Sequence, residues 1–301
     1  LIFMFALFGV VITSGAWLSD DAYITLRTVD NVVRGHGLTW NPTERVQAYT
    51  HPLWMIALSM LYAVTREAYF TTILFSLAIS LVTLWLLGTR VAVSDRAAFV
   101  SLVILTLSRA FVDYSTSGLE NPLTHLLLVL FFTVYFGRPA SVRKLAALSL
   151  IASLGGMNRL DTLVIYLPAL LFSFIEVGPA LRSAGAAIAG QTPLILWTLF
   201  SCFYYGFPFP NTAYAKLNTG IPAGEQAVQG LIYLLDSLVH DPLTLLAIIT
   251  SIALAAAAGA LIYLLYTVRI GGDFMSGRCC RPQPGPTAPC SPTPAAASTC
   301  T

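Results

Sequence analysis

Charge is scarce in this sequence: charged residues make up 10% of 301, whereas hydrophobic residues make up 56%. A soluble domain carries about 25% charged residues, so an ordinary soluble protein is excluded. The composition predicts an all-α polytopic membrane protein, because a backbone in lipid must satisfy its own hydrogen bonds. The net charge is only +2 and no basic run exists, so membrane lipids are expected partners and nucleic acid is not.

Common catalytic and metal-binding motifs are also missing. The sequence has no Walker phosphate loop, no HExxH and no G-x-S-x-G. Cys202 lies in an apolar segment and is interpreted as a small buried side chain. The other four cysteines lie in the tail at spacings that match no zinc site, so no metal site is predicted. The tail, 279–301, is rich in Pro, Ala, Ser and Thr and is predicted to be disordered, after a transmembrane domain at 1–278.

Long apolar runs predict membrane spans. Crossing the hydrocarbon core takes about 20 apolar residues, and shorter runs are more often interfacial or re-entrant. Residues 68–88, 184–205 and 243–268 are long enough to span. Residues 1–18 are interpreted as a retained first span, because no small-x-small signal-peptide cleavage site follows them.

The remaining apolar runs are shorter. Residues 51–64 begin with His-Pro and predict a short interfacial helix. The other four runs predict two helical pairs, 97–108 with 123–136 and 145–157 with 162–175. Their polar turns, 109–122 and 158–161, are expected to be recessed on one side of the membrane.

Basic residues in the short loops set the expected orientation. One side carries Arg90, Arg96, Arg138, Arg143, Lys144 and Arg182. Only Arg109 and Arg159 lie in the short turns on the opposite side, so the side with more basic residues is expected to be cytoplasmic. The loops 19–67 and 206–242 then face outward together with the turns 109–122 and 158–161, and these four segments carry eleven of the fourteen acids. This concentration indicates an active site on the outer face of the inner (cytoplasmic) membrane.

The first outward loop predicts a helix lying on the membrane surface. Its polar stripe consists of Arg27, Asp30, Asn31 and Arg34. Its apolar face consists of Ala22, Leu26, Val29 and Val33. The helix is expected at 22–34, with Gly35 ending it. A second amphipathic candidate is 227–239.

Asp20 and Asp21 are adjacent carboxylates at the rim of the first membrane helix. Neighbouring side chains on a helix point about 100° apart, so the two cannot share one role. One is expected to act as a base on a membrane-embedded substrate while the other caps the surface helix. The position of Asp21 favours the cap, which leaves Asp20 as the base. The alternative is that the pair is only a cap.

Further candidates each have two interpretations. Arg159 could bind a lipid phosphate, or it could simply pair with Asp161. Glu120 precedes Pro122 at a helix start, so it could cap that helix or contribute to a site. The other outward-loop cations expected at lipid headgroups are His51, Arg27, Arg34, Arg45 and Lys216, and of these His51, Arg27 and Lys216 are also candidates for substrate binding.

The first loop resembles a known family in four stretches: Ser19-Asp20-Asp21-Ala22-Tyr23-Ile24-Thr25-Leu26-Arg27, Gly35-His36-Gly37-Leu38, Asn41-Pro42-x-Glu44-Arg45-Val46 and Tyr49-Thr50-His51-Pro52-Leu53-Trp54. They resemble the bacterial GT-C glycosyltransferases and are most similar to the terminal arabinofuranosyltransferase type of mycobacterial cell-wall synthesis. Weaker matches are Ser117-Gly118-Leu119-Glu120-Asn121-Pro122, Asn158-Arg159-Leu160-Asp161, Tyr204-Tyr205-Gly206 with Pro210-Asn211-Thr212-x-Tyr214-Ala215-Lys216, and Gly271-Gly272-Asp273-Phe274-Met275-x-Gly277-Arg278. The resemblance covers 1–278.

The resemblance implies a GT-C-like transmembrane helix bundle whose outer-face loop carries interfacial helices. It implies an inverting transferase that moves a sugar from a polyprenyl-phosphate donor to a cell-envelope glycan, lipid or protein acceptor. The base carries over onto Asp20 or Asp21, the second acidic residue onto Glu120, and the cation near the carrier phosphate onto Arg159 or His51. Some such transferases use a divalent cation and others do not, so that cofactor stays open.

Two other functional classes are kept as alternatives. A membrane transporter subunit would place its substrate site near the midplane and often shows inverted repeats, whereas the charges here lie at helix ends. A non-catalytic membrane assembly protein is favoured if the C-terminal part is naturally missing. Relatives of the family continue with further helices after a stretch like Gly271-Gly272-Asp273-Phe274, where this sequence has its Pro- and Cys-rich tail.

Overall fold

The structure is a computed structural model that describes residues 2–217, 220, 222–255, 264, 265 and 267–269. Every regular element within these residues is helical, which confirms the predicted all-α class. The tail at 279–301 and the stretch from Gly271 lie outside the described residues, so the expectations for them stay predictions.

The α-helices in chain order are α1 (Ile2–Ser14), α2 (Asp20–Val33), α3 (Pro52–Thr65), α4 (Tyr69–Leu86), α5 (Asp95–Leu107), α6 (Arg109–Tyr114), α7 (Asn121–Gly137), α8 (Val142–Asn158), α9 (Leu163–Val177), α10 (Leu181–Gly190), α11 (Thr192–Tyr205), α12 (Asn211–Leu217), α13 (Ala223–His240) and α14 (Pro242–Ala255). A π-helical turn, Leu87–Val91, extends α4, and a 3-10 turn, Leu160–Thr162, precedes α9.

Two continuous helical stretches are long and apolar enough to cross a membrane, Tyr69–Val91 and Leu160–Val177. Two bent helix pairs bring the number of candidate spans to as many as four in the described part of the chain. The prediction of a span at 68–88 is confirmed. The run at 162–175 is longer than expected, because the turn before it is helical and continues into α9.

The span predicted at 184–205 corresponds to the bent pair of α10 and α11, which is one of the candidate spans. The chain bends by 55° between α10 and α11. Pro193 lies in the first turn of α11 and has no N–H to continue the hydrogen bonds of α10. Gly190 packs so closely on α8 that a Cβ there would lie 2.5 Å from the Cβ of Ser149. The break therefore lets α10 pack against α8 while α11 takes another direction. Within the run at 243–268 the structure describes α14 to Ala255 and then residues 264, 265, 267 and 268, so a span there stays a prediction.

The surface helix α2 begins two residues earlier than predicted. Ser19, not Asp21, is its N-cap: the Ser19 hydroxyl accepts from the backbone N–H of Ala22. Asp20 and Asp21 occupy the first turn, where carboxylates are favoured by the helix dipole. The C-terminal end is as predicted, with Gly35 at φ +83.

A buried cluster joins α2 and α3 to α4. Its centre is Trp54, fully buried and stacked on Phe75 with ring centroids 5.1 Å apart. Leu26 and Val29 of the apolar face of α2 pack into it. One residue of the predicted polar stripe behaves differently: Asn31 is buried and donates to the backbone carbonyls of Thr39 and Trp40. Its amide thereby fixes the loop that follows the helix.

The turns predicted to face outward lie at the same end of the helices. The backbone N–H of Ser19 donates to Ser117, and the Trp54 indole donates to Gly118. The Tyr205 hydroxyl at the end of α11 donates to the carbonyl of Leu38. The loops 15–51 and 108–120 and the end of α11 therefore form one polar end of the molecule.

Candidate functional site

Glu120 is the centre of a buried charged cluster at this polar end. The residue is 5% exposed and is the last residue of the 115–120 turn, directly before α7. Its side chain makes no capping hydrogen bond to α7. Instead Oε2 lies 3.1 Å from His51 Nδ1, and Oε1 lies 3.2 Å from Arg159 Nη1. Of the two interpretations of Glu120, the geometry favours the site and not the cap.

His51 is held on both sides of its ring. Nε2 lies 2.7 Å from the hydroxyl of Thr25 on α2, and Nδ1 also lies 3.2 Å from the Thr50 hydroxyl. The residue is 6% exposed. Pro52 begins α3 directly after it, so the imidazole lies at a fixed helix start. His51 is therefore a buried link between α2 and Glu120.

Arg159 makes the predicted pair with Asp161, and it also contacts Glu120, which the sequence did not predict. Its Nε lies 3.0 Å from Asp161 Oδ1 within the same turn, while Nη1 reaches Glu120. The Arg159 side chain stays 35% exposed, whereas Glu120 and Asp161 are 7% and 15% exposed. The two carboxylates therefore orient a guanidinium that is still open to the exterior.

The charge of Glu120 is set by these neighbours. Burial alone would raise its pKa, since an ionised carboxylate loses hydration. The positive charge and hydrogen bond of His51, together with Arg159, outweigh burial and lower the pKa to about 2. Glu120 is therefore ionised at neutral pH, and each of its oxygens faces a basic group.

Backbone contacts fix the turn that carries Glu120. The buried side chain of Asn158 donates from Nδ2 to the Glu120 carbonyl at 3.0 Å, which ties α8 to the start of α7. Gly118 adopts φ +80, and a Cβ there would lie 2.7 Å from Leu18 and 2.8 Å from Ala22. Only glycine allows the turn to approach α2 so closely. The position of the carboxylate thus follows from helix packing.

The acidic pair lies at the start of α2, and both residues are exposed. Asp21 is one helical turn before Thr25, so the two share a helix face, and Thr25 contacts His51. Asp20 points about 100° away from Asp21, and its Oδ1 accepts from the backbone N–H of Asp21. Helical spacing therefore assigns Asp21, and not Asp20, to the face of α2 that carries Thr25.

The remaining predicted residues lie apart from the cluster. Arg27 is exposed, stacks over the Trp40 ring at 4.1 Å and donates to Asn41, so it braces the first loop. Lys216 belongs to α12, but its side chain is outside the described part of the structure. The structure thus joins His51, Glu120 and Arg159 and leaves Arg27 outside this group.

Sequence reasoning missed two residues of the cluster, Thr25 and Asn158. A signal existed for Thr25, which is a polar residue between Ala22 and Leu26 on the apolar face of α2. Asn158 belongs to the Asn158-Arg159-Leu160-Asp161 stretch, in which the charge of Arg159 is the stronger signal. For Thr25 the signal was a polar side chain on the apolar face of a predicted helix, whereas Asn158 stood in a turn already predicted to be polar.

The chain is similar to two curated proteins. One, from Corynebacterium glutamicum, is 31% identical over 319 aligned positions, which cover 87% of this chain and 46% of that protein. The other, from Mycobacterium tuberculosis, is 28% identical over 318 positions, which cover 87% of this chain and 50% of that protein. Both are named terminal beta-(1->2)-arabinofuranosyltransferase.

This chain spans about half the length of these two relatives. No protein-family model and no solved structure matches it. The predicted resemblance to the terminal arabinofuranosyltransferase type is confirmed as a similarity to these two proteins over 87% of this chain.

Proposed function

We propose that this chain forms the catalytic membrane part of an inverting GT-C-type glycosyltransferase. It would move a sugar, with arabinofuranose as the first candidate, from a polyprenyl-phosphate donor to a cell-envelope glycan, lipid or protein acceptor. The observation that supports this most is the position of Arg159: the buried carboxylate of Glu120 and the partly buried carboxylate of Asp161 orient an accessible guanidinium at the same polar end as the exposed acidic pair. The names of the two relatives support the sugar.

The proposed chemistry needs a base and a phosphate-binding cation. Transfer to a hydroxyl requires a group that accepts its proton, and a positioned carboxylate can do so. We assign this role to Asp21, because it shares a face of α2 with Thr25, and we keep Asp20 as its alternative. The phosphate leaves as a stable anion, so no general acid is needed.

Arg159 would hold the carrier phosphate as negative charge develops on it. A guanidinium can make paired hydrogen bonds to phosphate oxygens, which a point charge cannot. Glu120 and Asp161 keep its fork in one orientation. In the described residues no group of three or more His, Cys, Asp and Glu side chains is arranged to hold a metal.

The site would operate on the outer face of the inner membrane. The excess of basic residues in the short loops at the other end supports this orientation. The surface helix α2 and the short helix α3 would then lie at headgroup depth, where a polyprenyl phosphate presents its sugar.

The test is transfer of labelled sugar by membranes of a host that expresses the protein, with a panel of polyprenyl-phosphate sugars. We expect Arg159→Ala to weaken donor binding by about 1.5–3 kcal/mol, the range for hydrogen bonds to charged groups. Arg109→Ala is the matched control, because Arg109 lies at the same end but forms an exposed pair with Asp113 at 3.3 Å. Equal donor affinity of the two variants, or no transfer with any donor, would contradict the proposal.

A further inference from the structure

A line of side-chain contacts connects the surface helix to the proposed phosphate site. It runs from the Thr25 hydroxyl to His51 Nε2 at 2.7 Å, from His51 Nδ1 to Glu120 at 3.1 Å, and from Glu120 to Arg159 at 3.2 Å. The four residues come from α2, the residue before α3, the turn before α7 and the turn after α8. We call them the His51 array.

The partners of His51 determine where its protons lie. An ionised carboxylate can only accept hydrogen bonds, so Nδ1 must carry a proton to bond Glu120. The hydroxyl of Thr25 can donate to Nε2 or accept from it, so it fits this arrangement in either charge state of the ring. Without that hydroxyl, nothing in the array holds Nε2, and the proton could move to the side away from Glu120.

We infer that Thr25 and His51 are positioning residues that fix the orientation of Glu120 and, through it, of Arg159. Both are buried, at 1% and 6% exposure, so neither offers an accessible group to a substrate. The array therefore joins the α2 turn that carries Asp21 to the guanidinium of Arg159 in one hydrogen-bonded unit. What Arg159 binds rests on the proposed function, whereas the protonation of His51 does not.

The tautomer can be measured directly. Histidine labelled with ¹⁵N in the detergent-solubilised protein gives ring nitrogen signals for the four histidines, and His51→Gln identifies those of His51. We expect Nδ1 of His51 to be protonated at pH 7 in the unaltered protein. Thr25→Val keeps the shape and removes the hydroxyl, so it should shift the Nε2 signal, and Thr25→Ser should restore it.

Thr28→Val is the matched control. Thr28 is buried on the same helix, but its hydroxyl bonds only the carbonyl of Ile24 within that helix, at 3.4 Å. We expect this variant to leave the His51 signals unchanged. An unprotonated Nδ1 in the unaltered protein overturns the inference even if no variant folds. The inference is also overturned if the Nε2 signal of His51 is unchanged by Thr25→Val, or if Thr28→Val shifts it equally.

Kinetics give a second, separate measurement. Thr25→Val should raise the KM for the polyprenyl-phosphate donor about tenfold with a smaller change in kcat, as the loss of about one hydrogen bond predicts. Thr25→Ser should recover most of the loss, which a purely structural role of Thr25 in packing would not require. If the His51 signals respond as expected but no donor is used, the array stands and the proposed function fails.

Discussion

Glu120 is a buried carboxylate whose two oxygens face different basic side chains. Removing one member of a buried charged group costs about 3–5 kcal/mol, since the remaining charges lose their partner. We therefore expect Glu120→Gln to lower the free energy of unfolding by an amount in this range at neutral pH. Chemical denaturation in detergent measures it. Glu44→Gln, an exposed carboxylate of the first loop, should change it little.

The pKa of Glu120 also predicts the pH dependence of stability. The ordinary value of this carboxyl is 4.5, and in the folded protein it is about 2. A carboxyl with a lowered pKa stabilises the fold above its unfolded pKa, and this contribution disappears as the pH falls through the folded pKa. The thermal transition should therefore fall between pH about 4.5 and about 2. Glu120→Gln should flatten this part of the curve, and an equally steep fall would show that another group is responsible.

At the scale of elements, the approach of the 115–120 turn to α2 decides the geometry of the site. Gly118→Ala would force a side chain into φ +80 and against Leu18 and Ala22. A strained backbone of this kind costs of order 1–3 kcal/mol, so both stability and transfer should fall. Gly185→Ala in α10 is the control, because its added Cβ meets nothing within 4 Å. Equal thermal transitions for the two variants would rule out the close approach.

The helices followed from sequence more easily than the site did. Apolar period and length predicted α3, α4 and the amphipathic face of α2, because these depend on local composition. The bend at Pro193 and the cap at Ser19 were missed, although proline and serine are known signals at such positions. His51, Glu120 and Arg159 were each chosen as candidates. Their meeting at one point depends on how α2, α7 and α8 pack, which no local pattern contains.

At the scale of the whole molecule, the acid-rich turns share one end, and the orientation of that end in the membrane is a prediction. The basic loops imply that Thr43 lies outside and Ser141 inside the cell. Single cysteines at these positions, treated with a membrane-impermeant maleimide in intact cells, should be labelled at Thr43 only. The native cysteines set the background signal; Cys202 is exposed, so the prediction that it is buried is wrong. Labelling at Ser141 alone would place the acidic end in the cytoplasm.

The central claim, that this end of the molecule is a sugar-transfer site with a carboxylate base, is tested most directly by exchanging each acid of the pair. Asp21→Asn and Asp20→Asn keep the shape of the side chain but cannot accept a proton from the acceptor hydroxyl. Turnover of labelled polyprenyl-phosphate sugar and donor binding are measured in parallel for both variants. We predict that Asp21→Asn abolishes transfer while donor binding survives, and that Asp20→Asn loses less. The opposite order would assign the base to Asp20, and near-normal transfer by both variants would contradict the account.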